Sequence, residues 1–449
     1  MCNGTIMDKL ISFSIPLMLS GILQLMFNAV DIVVVGRFSG SQALAAVGST
    51  TALINVFTNL FIGISLGANV LAARYYATGK TKEMSETVHT AIALALVSGV
   101  AMAVIGVVFA RGALEIMGTP DDVIAKSTLY MRIYFCGMPF FMMYNYGAAI
   151  LRAVGDTKRP LIFLIVSGVI NAVLNLFLVI GFHLDVAGVG IATVISQLVS
   201  CILVLRCLHH TESSYQLHLA KLRIRSVYLK QIFEVGVPAG IQSTVINISN
   251  AMLQSSVNSF GSIAMAGYTA SNNIFGFLYV SVNSFTQACM SFTSQNYGVK
   301  KLKRMDRVLI DCMILSVVVT LILGSSVYIF GPELLHIYSN QADVIKYGME
   351  IFSYTTVTYF LCGLMDLFPG ALRGMGHSTV PMILSVIGTV GTRILWIYGI
   401  FPTHRSLSIL FISYPASWIL TIIMQVICFY FVRRHVHRTH KDTESPAEA

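Results

Sequence analysis

Charged side chains are scarce in this chain: Asp, Glu, Lys and Arg account for 11% of its 449 residues against 55% hydrophobic ones, too few to cover a water-soluble surface. Strict alternation of apolar and polar residues is missing too, which excludes a transmembrane barrel. The eight Cys residues are scattered without a CxxC pair, so no disulfide framework is implied, and those inside apolar runs read as small apolar residues. No GxxxxGK[ST] phosphate loop occurs, which argues against direct ATP drive. Within the apolar segments, His and acidic residues never gather at metal-ligand spacing, so a membrane-embedded enzyme has no constellation to work with. His435, His437 and His440 follow the last apolar run among basic residues and read as a solvated tail. No cofactor is implied.

What is present is a series of apolar runs, each of about twenty residues or more and so long enough to cross a bilayer as a helix. Twelve are expected, at roughly 10–36, 43–72, 89–110, 128–151, 161–182, 187–208, 231–257, 264–293, 308–331, 348–372, 379–401 and 407–432. The first is read as a helix rather than a cleavable signal, because it is long and contains Pro16 and Asp31. The net charge of +9 is not spread evenly. Lys and Arg gather in the N-terminal segment, in every second connection and in the tail, a bias that places both termini in the cytoplasm of a multi-pass plasma-membrane protein. The basic run "VKKLKRMDR" (299–307) then needs no nucleic-acid partner; it is a cytoplasmic loop anchoring its neighbours.

The stretch "ILRAVGDTKRP" (150–160) returns as "ALRGMGHSTVP" (371–381), at a constant offset of 221 that links Arg152 to Arg373, Gly155 to Gly376 and Pro160 to Pro381. Near the start of each half the offset is 222, linking Pro16 to Pro238 and Asn28 to Asn250. The chain is therefore two copies of a six-helix unit. An even number of helices per copy implies a two-fold axis along the membrane normal, the geometry of two bundles that rock about a central cavity. The expected division is 1–208 for the first bundle, 209–230 for a polar cytoplasmic linker long enough to let the bundles tilt, 231–432 for the second bundle and 433–449 for a basic tail. The repeated stretch reads either as an inner-face hinge or as a plain helix stop: its Gly allows a tight turn, its Pro opens the next helix, and its Arg can hold helix-end carbonyls or lipid phosphates.

With "VDIVVVGRFSGSQALAAVG" (30–48), "VAGVGIATVISQ" (186–197), "VPAGIQSTVINISN" (237–250) and the two repeats in this order and spacing, nearly the whole chain resembles the multidrug and toxic compound extrusion (MATE) transporters, in particular the bacterial DinF-like branch. The resemblance implies twelve transmembrane helices in a V-shaped pair of six-helix bundles. It also implies export of drug-like, often cationic, organic compounds in exchange for protons or sodium ions. A single chain acting as a monomer is expected.

Ionisable groups at membrane depth are functional candidates in their own right, since each costs about 2.5–3.5 kcal/mol on the insertion scale unless a cavity or a partner receives it. Asp31 follows Gln24 and Asn28 at i, i+4, i+7 spacing, so the three share one helix face. A carboxyl group there can take up and release a proton as hydration changes; the alternative is a permanently hydrogen-bonded brace. Asn171 and Asn175 lie one turn apart, and Thr193 on the next helix can approach them. With Asp31 these oxygens suit a hydrogen-bonded proton site or a sodium ion, unless the amides serve helix packing alone. The resemblance points to the same four positions, but relatives commonly carry Asp where this chain has Asn175. One carboxylate fewer favours protons over sodium.

In the second half, Asp366 occupies the place of Asn145, and Arg393 is expected to pair with Asp366. An acid held by Arg is less free to titrate, which leaves Asp31 as the first choice for coupling. The expected substrate cavity is uncharged, polar and aromatic: Gln24, Asn28, Asn55, Asn59, Tyr144, Asn145, Asn272, Asn273 and Asn283. The 21 Met residues can repack around different ligands, although most serve ordinary packing. A channel is disfavoured by the asymmetric buried acids. A flippase for a lipid-linked or polysaccharide precursor is the nearest rival, but it would be expected to show several cavity cations for a diphosphate, and Arg393 is the main one.

Overall fold

The structure is a computed structural model and describes residues 1–443; side chains at positions 41, 52 and 440–443 are outside the description, as are the last six residues of the expected 433–449 tail. The described chain is almost wholly helical. The elements run α1 (Ile6–Phe38), α2 (Ser41–Ala77), α3 (Thr81–Ile116), α4 (Asp121–Cys136), α5 (Met138–Ala153), α6 (Lys158–Leu176), α7 (Asp185–His210), α8 (Ser226–Asn258), α9 (Ser262–Gly298) and α10 (Leu302–Ile329). They continue with α11 (Gly331–His336), α12 (Ala342–Thr355), α13 (Tyr359–Gly374), α14 (Thr379–Ser385), α15 (Thr392–Leu395) and α16 (Leu407–Thr443).

Eight described helices are both long and apolar enough to cross a membrane, and α12 with α13 makes a ninth span bent by 52°. The remaining three expected crossings differ for local reasons. The fourth run is divided at Gly137 into α4 and α5, the second of which opens on Pro139. The lengths of α8 and α9 suffice, 33 and 37 residues, but polar side chains such as Gln242, Asn247, Asn250, Asn272 and Asn283 dilute their hydropathy. The bend between α12 and α13 has a chemical cause. Thr355, Thr356 and Thr358 donate their hydroxyls to carbonyls one turn back, at 2.6, 2.6 and 2.7 Å, and compete with the helical ladder. Wide π-helical turns at Phe177–Gly181, Val386–Gly391 and Trp396–Ile400 interrupt the fifth and eleventh crossings.

The internal repeat is carried by the backbone itself. Left-handed residues recur at an offset of 221: Gly40 (φ 86°) with Gly261 (102°), Gly79 (67°) with Lys300 (58°), and Gly155 (99°) with Gly376 (93°). At Gly155 the amide bonds Arg152 O at 3.0 Å and the next amide bonds Leu151 O at 2.9 Å; at Gly376 the same pair, to Arg373 O and Leu372 O, measures 2.8 and 2.9 Å. Both copies thus end a helix in the same Schellman turn.

The chain divides into one unit of Ile15–Gly240 and another of Met1–Ser14 with Ile241–Ala449, so the boundaries fall inside α1 and α8 rather than at the expected 208 and 231. Packing explains both shifts. The start of α1 sets Phe13 edge-on against Phe292, with ring centroids 5.5 Å apart, and Lys301 Nζ donates to Cys2 O at 2.9 Å. The start of α8 meets α2 backbone to backbone: a Cβ on Gly63 would lie 2.3 Å from Gly240 Cα, and one on Gly236 2.5 Å from Ile64 Cα. Gly63 with Gly67, and Gly236 with Gly240, are small residues one turn apart, the pattern that lets membrane helices approach closely.

The connection between α7 and α8, the polar linker expected at 209–230, is packed against its own unit. His218 N–H donates to Nε2 of buried His89 at 3.0 Å, Leu217 is buried, and Glu86 receives both Arg223 (2.7 Å) and Arg225 (3.2 Å). The loop is docked along α3 of its own unit. Each unit has its own apolar core, one centred on α2, α3, α4, α5 and α7, the other on α9, α12, α13 and α16.

Candidate functional site

In the first unit α1 and α6 cross at a point where Gly168 leaves room for a ring: a Cβ there would lie 1.8 Å from Phe27. One turn beyond Phe27 on α1 stands Asp31, and one and two turns beyond Gly168 on α6 stand Asn171 and Asn175. The close crossing therefore delivers the carboxylate to the amides. Asn175 is wholly buried; its Nδ2 donates to Asp31 Oδ1 and, at 3.2 Å, to Asn171 Oδ1. Asn175 Oδ1 is buried and, among the described residues, has no hydrogen-bond partner.

Thr193 takes no part in this network. Its hydroxyl donates to Val189 O on its own helix at 3.0 Å, the usual solution for a Thr within an apolar helix. Sequence reasoning missed two ring neighbours: Tyr130 and Tyr134 on α4 lie within electrostatic reach of Asp31. Their i, i+4 spacing within the 128–151 run was the available signal. Gln24 and Asn28 are exposed on α1, and among the other expected cavity residues Asn55, Asn273 and Asn283 are exposed while Asn59 and Asn272 are half-buried. Tyr144 and Asn145 are otherwise engaged. The Tyr144 hydroxyl donates to Pro160 O at 3.1 Å, tying α5 to the start of α6, and Asn145 Nδ2 donates to Phe141 O at 2.8 Å. Tyr144 therefore belongs with Arg152, Gly155 and Pro160 at the repeated turn.

The second unit corrects the expected ion pair. Arg393 is buried, yet no ion pair joins it to Asp366. Its Nη1 donates to Asn250 Oδ1 at 2.7 Å, and its guanidinium lies 4.7 Å from the centre of the Tyr414 ring. Tyr414 in turn shares a 2.7 Å hydrogen bond with Tyr268. An amide dipole and a π face thus receive the cation. Asp366 is half-buried on α13 and faces the field of Arg373, two turns further along the same helix, and of Tyr279. Arg373 does not reach helix-end carbonyls; it is buried and donates to Gln242 Oε1 at 2.7 Å. Asn250 was visible in the sequence as the counterpart of Asn28, but Gln242 carried no signal beyond being polar in an apolar run.

The two units are thus alike in backbone and unlike in charge, one holding an acid among amides, the other a base over a ring. A protein-family model described as MatE matches residues 16–177 and again 238–398, the two copies of the repeat. The chain belongs to the MatE family. Members of this family are transporters, and this MatE protein is a multi-pass membrane transporter rather than an enzyme. Among curated relatives it is 28% identical to the probable multidrug resistance protein YoeA of Bacillus subtilis (strain 168), over 94% of this chain and 92% of that protein. It is 23% identical to the multidrug export protein MepA of Staphylococcus saprophyticus, over 89% of each. Among solved structures, a mutant of the MATE transporter VcmN of Vibrio cholerae superposes with a TM-score of 0.89 at 18% identity, covering 96% of this chain and 97% of that one. An outward-facing multidrug resistance MATE family transporter gives 0.88 at 19% identity, covering 98% and 97%. The MatE fold, helical bundles in two repeated halves, is therefore the fold of this chain.

Proposed function

We propose that this MatE protein is a secondary active antiporter that exports drug-like, cationic organic compounds by alternating access, using protons carried by Asp31. The observation that carries this reading is the hydrogen-bonded cluster of Asp31, Asn175 and Asn171. It holds a single carboxylate, and the amide hydrogens of Asn175 point at the oxygens that a sodium ion would need. A proton exchanged at Asp31 changes one charge without displacing that donor, whereas a sodium ion on the Asp31 and Asn171 oxygens would compete with the Asn175 N–H that both already accept. The names of the relatives, a probable multidrug resistance protein and a multidrug export protein, support drug-like substrates. Exposed amides on α1, α2 and α9, together with aromatic faces, suit binding of varied cations. The uneven placement of Lys and Arg supports cytoplasmic termini, and a chain that holds both halves of the repeat supports action as a monomer without a nucleic-acid partner.

The test is reconstitution of the purified protein in liposomes, with efflux of a fluorescent organic cation followed under an imposed proton gradient and, separately, a sodium gradient. Proton-driven efflux is expected. Efflux driven by sodium alone would overturn the coupling reading, and no transport under either gradient would turn attention to a flippase for a lipid-linked precursor.

A further inference from the structure

At the ends of α6 and α7 nearest the docked linker lies an open cleft of about 580 Å³ with a cationic rim and an apolar wall. We propose that it binds the phosphate headgroup of an anionic glycerophospholipid. Arg159 and Phe163 contribute one face, at i, i+4 spacing on α6; Leu203, Arg206, Cys207 and His210 contribute the other, at i, i+3, i+4, i+7 spacing on α7. Arg159 is oriented across the cleft, its Nε 3.0 Å from Asp156 and its Nη1 3.4 Å from Cys207 Sγ, so the guanidinium is held in place with donors to spare. Arg206 is exposed and, among the described residues, makes no ion pair. His210 spends Nδ1 on Arg206 O at 2.9 Å, which leaves Nε2 available. Two carboxylates oppose an anion: Glu212, which also lines the cleft, and Asp156, which is paired with Arg159.

A lipid rather than a soluble anion is indicated by what continues below the rim. Phe163 and Leu203 are half-buried in the wall, and the same helices carry a band of exposed apolar side chains toward the bilayer centre: Ile162, Val166 and Val169 on α6, Ile202 and Ile195 on α7. A phosphate at Arg159 and Arg206 would therefore place its acyl chains along a surface already suited to hydrocarbon. Basic pockets between membrane helices at headgroup level are the sites that hold anionic lipids. The inference is independent of the transport reading, because it concerns a lipid contact within one unit.

The experiment measures lipid retention on the purified full chain in neutral detergent, by native mass spectrometry after addition of phosphatidylglycerol, phosphatidylcholine or inorganic phosphate. Wild type is expected to keep phosphatidylglycerol in preference to phosphatidylcholine. Arg206→Gln should weaken it about fivefold, Arg159→Gln with Arg206→Gln by roughly the square of that, and Arg206→Lys should retain most of the binding. Arg206→Gln touches an exposed, unpaired side chain and keeps the fold, so it decides the matter even if the double variant does not purify. Equal retention of the two lipids, phosphatidylglycerol binding unchanged in Arg206→Gln, or retention of inorganic phosphate as strong as that of phosphatidylglycerol would each overturn the assignment.

Discussion

Asn175, wholly buried on α6, donates an amide hydrogen to the carboxylate of Asp31 on α1. That one bond joins the helices at the level where each carries its polar residues, and it fixes which charge the first unit can hold. The amide supplies hydrogens to an acid; it supplies no second negative charge.

Asn175→Asp therefore changes the chemistry and not merely the contact. Two carboxyl groups at this separation cannot both stay ionised without a cation, so they must share a proton or take up a metal ion. The variant is expected to gain sodium-stimulated efflux in proteoliposomes, where wild type is expected to respond to protons alone. Indifference to sodium in a folded, proton-active variant would show that the missing carboxylate does not set ion choice.

Arg393 makes its bond to Asn250, and Asp366 takes no share in it. Asn250→Leu removes the acceptor of a buried cation and should destabilise the protein by about 1.5–3 kcal/mol. Asp366→Asn should leave thermal unfolding in detergent close to that of wild type, and Arg393→Leu combined with Asn250→Leu should recover much of the single-variant loss. A large loss in Asp366→Asn with little in Asn250→Leu would mean that the acid supports Arg393 after all.

The crossing of α2 and α8 rests on absent side chains. Any Cβ at Gly63 or Gly240 meets backbone, at 2.3 and 2.4 Å, and no rotamer relieves that contact. Gly240→Leu is expected to lower the yield of monodisperse protein severely, while Gly48→Ala, with open space around the position, should be neutral. Size-exclusion profiles of the two variants compare them directly.

The repeat, the spans and the Asn171–Asn175 pair were legible because each is written at short range: a hydrophobic run, an i, i+4 pair of amides, a motif found twice. That Asp31, 144 residues before Asn175, belongs with the pair was pointed to by the family resemblance. The bend at Thr355–Thr358 was legible in principle too, since clustered Thr hydroxyls divert helix carbonyls. What escaped was long-range. Nothing in the neighbourhood of Arg393 announces that Asn250, 143 residues earlier, will lie beside it, and the rule that a buried cation needs an acid overlooked the amide and ring that serve instead. The unit boundaries escaped for the same reason, because Gly63 and Gly240 matter only as a pair. Thr193 shows the converse, a polar residue whose hydroxyl is satisfied within its own helix.

The central claim, that Asp31 carries the coupling proton, is tested most directly by comparing Asp31→Asn with Asp366→Asn in proteoliposomes under a proton gradient, each first shown to elute as folded protein. The account predicts that Asp31→Asn abolishes proton-driven efflux of an organic cation while Asp366→Asn retains a measurable fraction of it. Normal efflux in Asp31→Asn, with loss in Asp366→Asn, would contradict it and move the coupling site to the second unit.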